Sequence, residues 1–301
     1  MNFQQSFRGT GTALITPFRA DDSIDWDALA RIIEAQITGG VNYLVSLGTT
    51  GEAIPLTGDE CQAVLSFTVK TVAGRVPVVA GYFGSNSTFH LIERMKRADF
   101  TGCAAVLSSS PAYNKPSQEG IYQHYMKVAE ISPLPMLMYN VPSRTASNIA
   151  PETTVRLATN GGNRFLGIKE ASGNLAQSQY IIKHRPSSDF LVISGDDQTA
   201  LGGVAYGGDG VISVISNAYP REWAAMMKAA LAGNFEEAKR LNDQLSDIHN
   251  LLYVEGNPVG IKAAMHILGF CENHFRLPLT PLSAGNFEKL KAQMERAKTI
   301  E

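Results

Sequence analysis

Short apolar segments alternate with helical patterns along most of this chain, and that alternation limits the folds open to it. Eight such segments, the first over residues 12–18 and the last over residues 210–214, are each followed by turn residues and then by helical spacing. Strands that are apolar on both faces are typical of a parallel sheet covered by helices. A doubly wound open sheet would also alternate, but eight regular units in about 230 residues fit a closed barrel better. We therefore predict an α/β fold, a (β/α)8 TIM barrel.

The strand pattern stops after residue 232, and only helical spacing follows it. Residues 234–253, 258–268 and 281–297 each have the spacing of a helix. We expect the barrel to occupy residues 1–232 and a small C-terminal helical appendage to occupy residues 233–301. The appendage would cover the barrel or form a contact between subunits.

Composition excludes several classes of partner. The net charge of −2 provides no basic field for nucleic acid or an anionic membrane surface. No apolar run approaches the ~20 residues that span a bilayer, and the N-terminus lacks the pattern of a secretory signal. Three widely spaced cysteines, Cys61, Cys103 and Cys271, suggest a reducing compartment, so we expect the cytoplasm. The 6 histidines show no metal-ligand spacing, and we expect no metal site.

The sixth predicted strand, residues 165–170, carries a lysine near its end, Lys169. An ammonium group in a buried strand is unfavourable unless something compensates for it. One interpretation is an ion pair with Glu170 or another carboxylate, because structural ion pairs also occupy strand ends. The other is a function that needs the neutral amine. The residues at the ends of the other strands favour the second interpretation.

Polar residues are concentrated where the active site of such a barrel lies, at the carboxyl ends of the strands. One lysine, two tyrosines, two threonines and one arginine converge on this rim, with a glycine and an isoleucine beside them. The set comprises Thr49 and Thr50 after the second strand, Tyr113 after the fourth, Tyr139 and Arg144 at the fifth, Lys169 at the sixth, Gly195 after the seventh and Ile212 on the eighth.

Each of these residues also has an ordinary interpretation when it is taken alone. Thr49 and Thr50 could be turn residues, Tyr139 a core tyrosine, and Arg144 a solvated surface arginine. Their common position on one rim is what favours a site. Asp196-Asp197, which follows the seventh strand, fits capping of the next helix better than it fits a metal pair.

The lysine and the tyrosines predict Schiff-base chemistry. Burial disfavours the charged form of Lys169, and a neutral amine attacks a ketone to give an imine. The resulting iminium is an electron sink, so the adjacent carbon loses a proton and becomes an enamine nucleophile. Loss of water needs a proton shuttle within hydrogen-bond reach, and Tyr139 is the nearest candidate. Thr50 could link Tyr139 to Tyr113 and pass the proton on.

The remaining rim residues predict two anionic groups in the substrates. Backbone N–H groups and the hydroxyls of Thr49 and Thr50 suit a carboxylate or an oxyanion. The guanidinium of Arg144 offers a bidentate fork for a second carboxylate. The expected substrates are an α-keto acid and an aldehyde that carries a carboxylate.

Four sequence motifs resemble those of one enzyme family. They are Gly48-Thr49-Thr50-Gly51-Glu52, Tyr139-Asn140-Val141-Pro142-Ser143-Arg144-Thr145, Gly167-Ile168-Lys169-Glu170 and Ser194-Gly195-Asp196-Asp197. In order and spacing they are similar to the family that holds the dihydrodipicolinate synthases and N-acetylneuraminate lyases. The resemblance covers about residue 9 to the C-terminus. Arg144, which follows the proline of the second motif, resembles an arginine of the synthases that the sialic-acid lyases lack.

The resemblance implies a reaction and a role for each matching residue. The reaction is the condensation of pyruvate with aspartate 4-semialdehyde in lysine and diaminopimelate biosynthesis, with no cofactor or metal, in a homotetramer. A different pyruvate-dependent aldolase of the family, or a non-catalytic keto-acid-binding regulator, remains an alternative. By resemblance, Lys169 forms the Schiff base and Tyr139 is the general acid/base. Thr50 and Tyr113 complete a proton relay, with Tyr113 reaching into a neighbouring subunit. The resemblance also implies the groups that bind the substrates: Thr49 and Thr50 hold the pyruvate carboxylate, Arg144 holds the semialdehyde carboxylate, and Gly195 and Ile212 line the pocket.

The chain departs from the family pattern at positions that bear on feedback inhibition by lysine. Ala112 stands where many members have a tyrosine that packs at the tight-dimer contact and touches the inhibitor. Gly58 and Cys61 replace the histidines of lysine-sensitive bacterial members, and His90 replaces the acidic residue that would bind the inhibitor's amine. We therefore expect weak or absent inhibition by lysine.

Overall fold

Eight parallel strands form a closed barrel in the computed structural model, which describes residues 3–298. Each strand pairs with its neighbours in sequence, and β8 closes the barrel by pairing with β1. The predicted (β/α)8 fold is confirmed. The strands are β1 (Gly9–Ala13), β2 (Tyr43–Ser46), β3 (Val78–Ala80), β4 (Ala105–Ser109), β5 (Met136–Asn140), β6 (Phe165–Glu170), β7 (Leu191–Ser194) and β8 (Gly210–Ser213).

Helices surround the barrel, and their first residues show why they begin where they do. Ser87 caps the helix Thr88–Arg97 by accepting a hydrogen bond from the His90 N–H at 3.3 Å. Thr57 and Glu60 form a reciprocal capping box at the start of the helix Gly58–Val72. No helix within residues 3–298 has both the length and the apolar character needed to cross a membrane. The helices are α1 (Trp26–Thr38), α2 (Gly58–Val72), α3 (Thr88–Arg97), α4 (Gln118–Ile131), α5 (Pro142–Thr145), α6 (Pro151–Gly161), α7 (Leu175–His184), α8 (Ala200–Ala205), α9 (Pro220–Leu231), α10 (Phe235–Tyr253), α11 (Val259–Ile267) and α12 (Ala284–Lys298).

The core has two layers, one inside the barrel and one between the strands and the helices. At the amino end of the barrel, the Phe7 ring contacts the Tyr43 ring with 5.2 Å between centroids. Tyr43 in turn needs a glycine opposite it, since a Cβ on Gly11 would lie 2.2 Å from a ring carbon. The expectation of a first strand over residues 12–18 is therefore wrong at both ends. The strand is built from small residues that make room for a large neighbour.

Three helices follow the last barrel helix in the described part of the chain. α10 packs against α9 and α12, and α11 packs against α10 and against the 3-10 turn Ile215–Asn217 that follows β8. The loop between α10 and α11 brings Asn257 to the carboxyl end of the barrel, where it contacts Thr50 and Arg144. The C-terminal segment therefore contributes to the same rim as the strands.

Candidate active site

Lys169 and Tyr139 lie side by side on neighbouring strands. The register of β5 and β6 pairs these two residues directly. The Lys169 Nζ atom is 4.4 Å from the centre of the Tyr139 ring, and the two residues are 5% and 7% exposed. The face of an aromatic ring attracts a cation, and it is also an apolar wall against which a neutral amine can lie. The predicted pair of imine-forming lysine and nearby tyrosine is brought together.

Glu170 is not the partner of Lys169. Side chains alternate along a strand, so Glu170 points away from the barrel interior. Its carboxylate accepts hydrogen bonds from Asn140 Nδ2 at 2.9 Å, Gln177 Nε2 at 2.7 Å and the Ser172 N–H at 2.7 Å. Within residues 3–298 no carboxylate oxygen lies within 4.0 Å of the Lys169 amine. The ion-pair interpretation of this lysine is therefore wrong.

Gly195 and Ile212 shape the space around the lysine side chain. A Cβ on Gly195 would lie 2.9 Å from Lys169 Cε and 2.6 Å from Ala171 Cβ, so a larger residue would displace the lysine. The Gly195 N–H donates to the Glu170 carbonyl at 2.7 Å, which fixes the glycine against β6. Ile212 is fully buried in the same interior cluster as Tyr139.

The loop after β2 is tied down on several sides. Thr16 Oγ1 donates to the Gly51 carbonyl at 2.6 Å, and the Glu52 N–H donates to the Thr49 carbonyl at 3.2 Å. Thr50 is 2% exposed, whereas Thr49 is partly exposed and lies in the wall of a cavity. A loop held in this way presents its hydroxyl and N–H groups with little freedom, as recognition of a carboxylate requires.

A buried ion pair, which sequence reasoning missed, anchors this loop to the C-terminal segment. Glu52 contacts Lys262 of α11, and both side chains are fully buried. Lys262 also donates to the His274 carbonyl at 3.1 Å. Burial raises the pKa of Glu52 and lowers the pKa of Lys262, and their mutual contact opposes both shifts. The available signal was a lysine in the otherwise apolar helix pattern of residues 259–267.

Arg144 lies in the short helix α5, directly after β5. Its side chain is exposed, and Nη2 donates to the Asn257 carbonyl at 2.9 Å. The guanidinium group lines the same cavity as Tyr139 and Thr49. An exposed cation held at one end in the mouth of a cavity is suited to an incoming carboxylate.

Tyr113 is not brought to the other predicted residues within one chain. Its side chain is 87% exposed, whereas Thr50 is 2% exposed. Its backbone N–H donates to the Thr145 carbonyl at 3.2 Å, and its φ of 70° is in the left-handed region. Two other exposed apolar side chains, Ile54 at 95% and Phe89 at 69%, line the neighbouring cavity. The predicted relay through Tyr113 is incomplete in a single subunit.

One open cavity of about 1330 Å³ joins the rim to the groove between α2 and α3. At the rim its wall includes Thr49, Tyr139, Arg144 and Asn257. Asn257, which donates from Nδ2 to Thr50 Oγ1 at 3.0 Å, was not predicted. The groove end holds the positions that depart from the lysine-sensitive pattern, namely Gly58, Cys61, His90 and Ala112.

The aspartate pair after β7 has structural roles. Asp196 accepts from the Thr199 N–H at 3.1 Å in the turn that precedes α8. Asp197 instead accepts from the N–H groups of Val214 and Ile215, at 2.9 Å each, and so caps the turn after β8. The expected capping of the next helix is therefore wrong, because no side chain in the described part of the chain caps the first turn of α8, and Asp197 serves a different element. Within residues 3–298 no group of three or more histidine, cysteine or acidic residues is placed to bind a metal ion.

Comparison with known proteins gives the same result over nearly the whole chain. The model of the dihydrodipicolinate synthetase family matches residues 6–297. The 4-hydroxy-tetrahydrodipicolinate synthase of Phocaeicola vulgatus is 46% identical over 295 residues, which are 98% of each chain. That of Flavobacterium psychrophilum is 48% identical over 279 residues, 93% of this chain and 94% of the relative. A dihydrodipicolinate synthase of Acinetobacter baumannii, solved with pyruvate, superimposes with a TM-score of 0.93 at 38% identity over 97% and 99% of the two chains. The chain belongs to the dihydrodipicolinate synthetase family.

Proposed function

We propose that the chain catalyses the 4-hydroxy-tetrahydrodipicolinate synthase reaction, the condensation of pyruvate with L-aspartate 4-semialdehyde in lysine and diaminopimelate biosynthesis. The observation that carries the proposal is the buried Lys169 amine. It has no ion pair within residues 3–298 and lies 4.4 Å from the centre of the Tyr139 ring at the carboxyl end of the barrel. The relatives that match the chain along its length are synthases of this kind.

The first half of the reaction forms the nucleophile. The Lys169 Nζ atom attacks the carbonyl carbon of pyruvate, and a proton delivered through Tyr139 allows the carbinolamine to lose water. The iminium then withdraws electrons from the methyl carbon, which loses a proton and becomes an enamine. Thr49 and Thr50 hold the pyruvate carboxylate, and Gly195 and Ile212 keep the imine in one orientation.

The second half joins the two substrates. The enamine carbon attacks the aldehyde carbon of the semialdehyde, whose carboxylate binds the guanidinium of Arg144. The aldehyde oxygen becomes a hydroxyl group by taking up a proton, which balances the one that the methyl carbon lost. The amino group of the semialdehyde then attacks the iminium carbon, closes the ring and releases the Lys169 amine. Over the whole cycle one water molecule leaves, and the lysine returns to its starting state. The chemistry uses the amine as its electron sink, and we propose that it needs no metal or other cofactor.

Tyr113 supports an oligomeric active site. The Tyr113 ring is exposed, whereas Thr50 is buried. This difference fits a tyrosine that completes the relay of a neighbouring subunit. Ile54 and Phe89 extend the exposed apolar surface beside the cavity. We propose a homotetramer, a dimer of dimers that share Tyr113, working in the cytoplasm, with catalysis in residues 1–232 and a helical unit over residues 233–301. Sedimentation at assay concentration tests the assembly, and an active monomer would contradict the role of Tyr113.

Reduction with borohydride in the presence of pyruvate tests the proposed function. The expected product is a stable mass adduct on a peptide that contains Lys169. A coupled assay with aspartate 4-semialdehyde, run beside N-acetylneuraminate and a keto-deoxy-sugar acid, then identifies the second substrate. An adduct without turnover of the semialdehyde would indicate a different aldolase of the family. No adduct would exclude Schiff-base catalysis altogether.

We further propose that lysine inhibits this enzyme weakly or not at all. The four departing positions lie in one cavity wall, and the His90 side chain there is exposed. The side chains of Gly58 and Ala112 offer neither a hydrogen-bonding group nor an aromatic ring to an amino acid ligand. Activity measured in millimolar lysine tests this prediction, and strong inhibition there would contradict it.

A further inference from the structure

The loop between α10 and α11 places Asn257 in the wall of the active-site cavity. This residue lies beyond the last strand of the barrel, where no barrel pattern predicts a functional side chain. In the cavity wall it is accompanied by Thr49, Tyr139 and Arg144. Its side-chain amide and its backbone carbonyl are the two groups that contact the site.

Asn257 contacts two residues of the proposed site through two different groups. Its side-chain Nδ2 donates to Thr50 Oγ1 at 3.0 Å, and its backbone carbonyl accepts from Arg144 Nη2 at 2.9 Å. Thr50 follows β2 and Arg144 lies in α5 after β5, so Asn257 bridges two sides of the rim. One end of the bridge is assigned to proton transfer and the other to the carboxylate of the second substrate.

The bond to Thr50 sets a direction for the threonine proton. A hydroxyl group has one proton and two lone pairs. Because the Asn257 amide donates to Oγ1, it occupies one lone pair of the hydroxyl, and the proton of Thr50 stays free to be donated to a group of the reaction. Accepting one hydrogen bond makes a hydroxyl a better donor in the next. Thr50 is 2% exposed, so bulk water does not compete for its proton. The amide therefore orients the hydroxyl through which the proton is to pass.

The other half of the amide shows that stability alone does not explain this residue. Asn257 Oδ1 is buried and has no hydrogen-bond partner within residues 3–298. An unpartnered buried acceptor is destabilising, and an apolar side chain would avoid it. The N–H group is the part of the amide in use, and its acceptor is Thr50.

Contacts of Lys262 also hold this bridge in place. Lys262 of α11 contacts Glu52, which follows Thr50 by two residues in the same loop. The Lys262 N–H donates to the Pro258 carbonyl at 3.0 Å, directly after Asn257. Asn257 and the loop that carries Thr50 are therefore fixed relative to each other, as a positioning contact requires.

We propose that Asn257 is a positioning residue of this active site. Its amide N–H orients the Thr50 hydroxyl for proton transfer, and its backbone carbonyl holds Arg144 for the second substrate. The inference rests on the proposed function and adds to it a residue from the C-terminal segment.

Two substitutions test the amide and leave the carbonyl in place. In Asn257→Ala the donor is lost, and in Asn257→Asp an isosteric carboxylate accepts the Thr50 proton and draws it out of the relay. We expect kcat to fall about 10-fold in Asn257→Ala and at least as far in Asn257→Asp. The KM for the semialdehyde should stay near wild type in Asn257→Ala, because the bond to Arg144 uses the backbone. Wild-type kcat in either variant would overturn the proposal, and so would a rise in KM without a fall in kcat.

A double-mutant cycle tests whether Asn257 acts through Thr50. Thr50→Val removes the hydroxyl at nearly constant shape, so Asn257→Ala should have no further effect on kcat in that background. Effects that multiply would overturn the proposal. Asn250→Ala is the matched control, since its amide is exposed and bonds Gln198 at 2.6 Å, and wild-type kinetics are expected.

The pyruvate adduct separates this inference from the function on which it rests. Wild type and both Asn257 variants should form the borohydride-trapped adduct, since the Lys169 amine is intact in all three. Absence of the adduct from wild type would refute the proposed function. An adduct in wild type together with unchanged kinetics in the variants would refute only the role of Asn257.

Discussion

Two buried lysines in the described part of the chain have opposite surroundings. Lys169 is 5% exposed and Lys262 is fully buried, and each amine lies over an aromatic ring, 4.4 Å from the centre of Tyr139 and 4.4 Å from the centre of Phe18. Lys262 has Glu52 and a backbone carbonyl as partners. Lys169 has no carboxylate within 4.0 Å among residues 3–298, and it lies against Gly195 at the cavity end of the barrel.

The comparison shows that burial alone does not make a lysine reactive. A carboxylate partner favours the charged form, which has no lone pair with which to attack a carbonyl group. Lys262 is therefore suited to holding two segments together, whereas Lys169 is suited to covalent catalysis. The neighbours of each amine decide between the two roles.

Lys169→Ala should have the largest effect, and a small effect would contradict the roles assigned to the two lysines. We expect no borohydride-trapped pyruvate adduct and a loss of kcat of at least about 10³-fold, because the imine-forming amine is gone. Lys169→Arg is the matched control, since it keeps the positive charge but forms no imine, and the same loss is expected. Mass spectrometry of the trapped protein measures the adduct in each variant, and the coupled assay measures kcat. An adduct on Lys262 in either variant would show that the two lysines had been assigned the wrong roles.

Sequence reasoning identified one of these lysines and missed the other, for a physical reason. Lys169 lies on β6, whose predicted bounds agree with the structure, and the strand period places it on the interior face. Lys262 depends on a partner 210 residues away in sequence, and no local pattern contains that distance. Asn257 was missed for the same reason, because its contacts with Thr50 and Arg144 form only when the C-terminal segment packs on the rim.

Lys262→Met should have the second largest effect, on stability and not on the adduct. Removing one partner of a buried pair leaves Glu52 without compensation, so we expect a loss of about 3–5 kcal/mol in the free energy of unfolding at pH 7. Burial already raises the pKa of Glu52, so its carboxyl group takes up a proton on folding in the variant. The loss should therefore shrink as the pH falls towards the ordinary pKa of a glutamate.

Chemical unfolding of Lys262→Met between pH 7 and pH 5 measures this effect. The double variant Lys262→Met/Glu52→Gln is the control, since it removes both charges and should recover part of the lost stability. Pyruvate should still trap on Lys169 in every folded variant. Loss of the adduct from a folded Lys262→Met protein would show that Lys262 is needed for imine formation and is not a purely structural lysine.

Arg144→Ala extends the comparison to an exposed cation and should have a smaller effect. The pyruvate adduct should form as in wild type, while kcat/KM for the semialdehyde falls about 10- to 100-fold because a carboxylate loses its bidentate partner. Arg144→Lys keeps the charge without the planar fork, so its kcat/KM for the semialdehyde should lie between those of wild type and Arg144→Ala. Unchanged turnover of the semialdehyde by Arg144→Ala would contradict the role assigned to this residue.

The parts of the site that sequence could not predict are short or depend on a neighbour's size. α5 has four residues, too few for a helical period, although Arg144 itself was identified from its motif. β1 was misplaced because Gly9–Ala13 contains two glycines and no large apolar side chain, so it lacks the apolar run by which the other strands were identified. Its small residues are explained only by the Tyr43 ring beside Gly11, which the sequence of β1 does not contain.

Glu60→Gln should have a smaller effect than Lys262→Met, because the ion pair of Glu60 also links the barrel to the C-terminal segment but is partly exposed. Glu60 accepts from Arg276 Nη2 at 2.6 Å and Nη1 at 2.9 Å, and the two side chains are 30% and 18% exposed. These hydrogen bonds lower the pKa of Glu60 from 4.5 to about 2. A carboxyl group whose pKa is lower in the folded state stabilises the fold above its unfolded pKa, and that contribution disappears as the pH falls from about 4.5 to about 2.

Solvent screens a pair at this exposure, so we expect Glu60→Gln to cost about 1 kcal/mol of unfolding free energy at pH 7. The difference from wild type should narrow as the pH is lowered to 3, which chemical unfolding at the two pH values measures. Glu119→Gln breaks a more exposed pair with Arg156 and should change stability by no measurable amount. A Glu60→Gln loss that equals that of Lys262→Met would mean that the depth of an ion pair does not decide how strongly it anchors the C-terminal segment to the barrel.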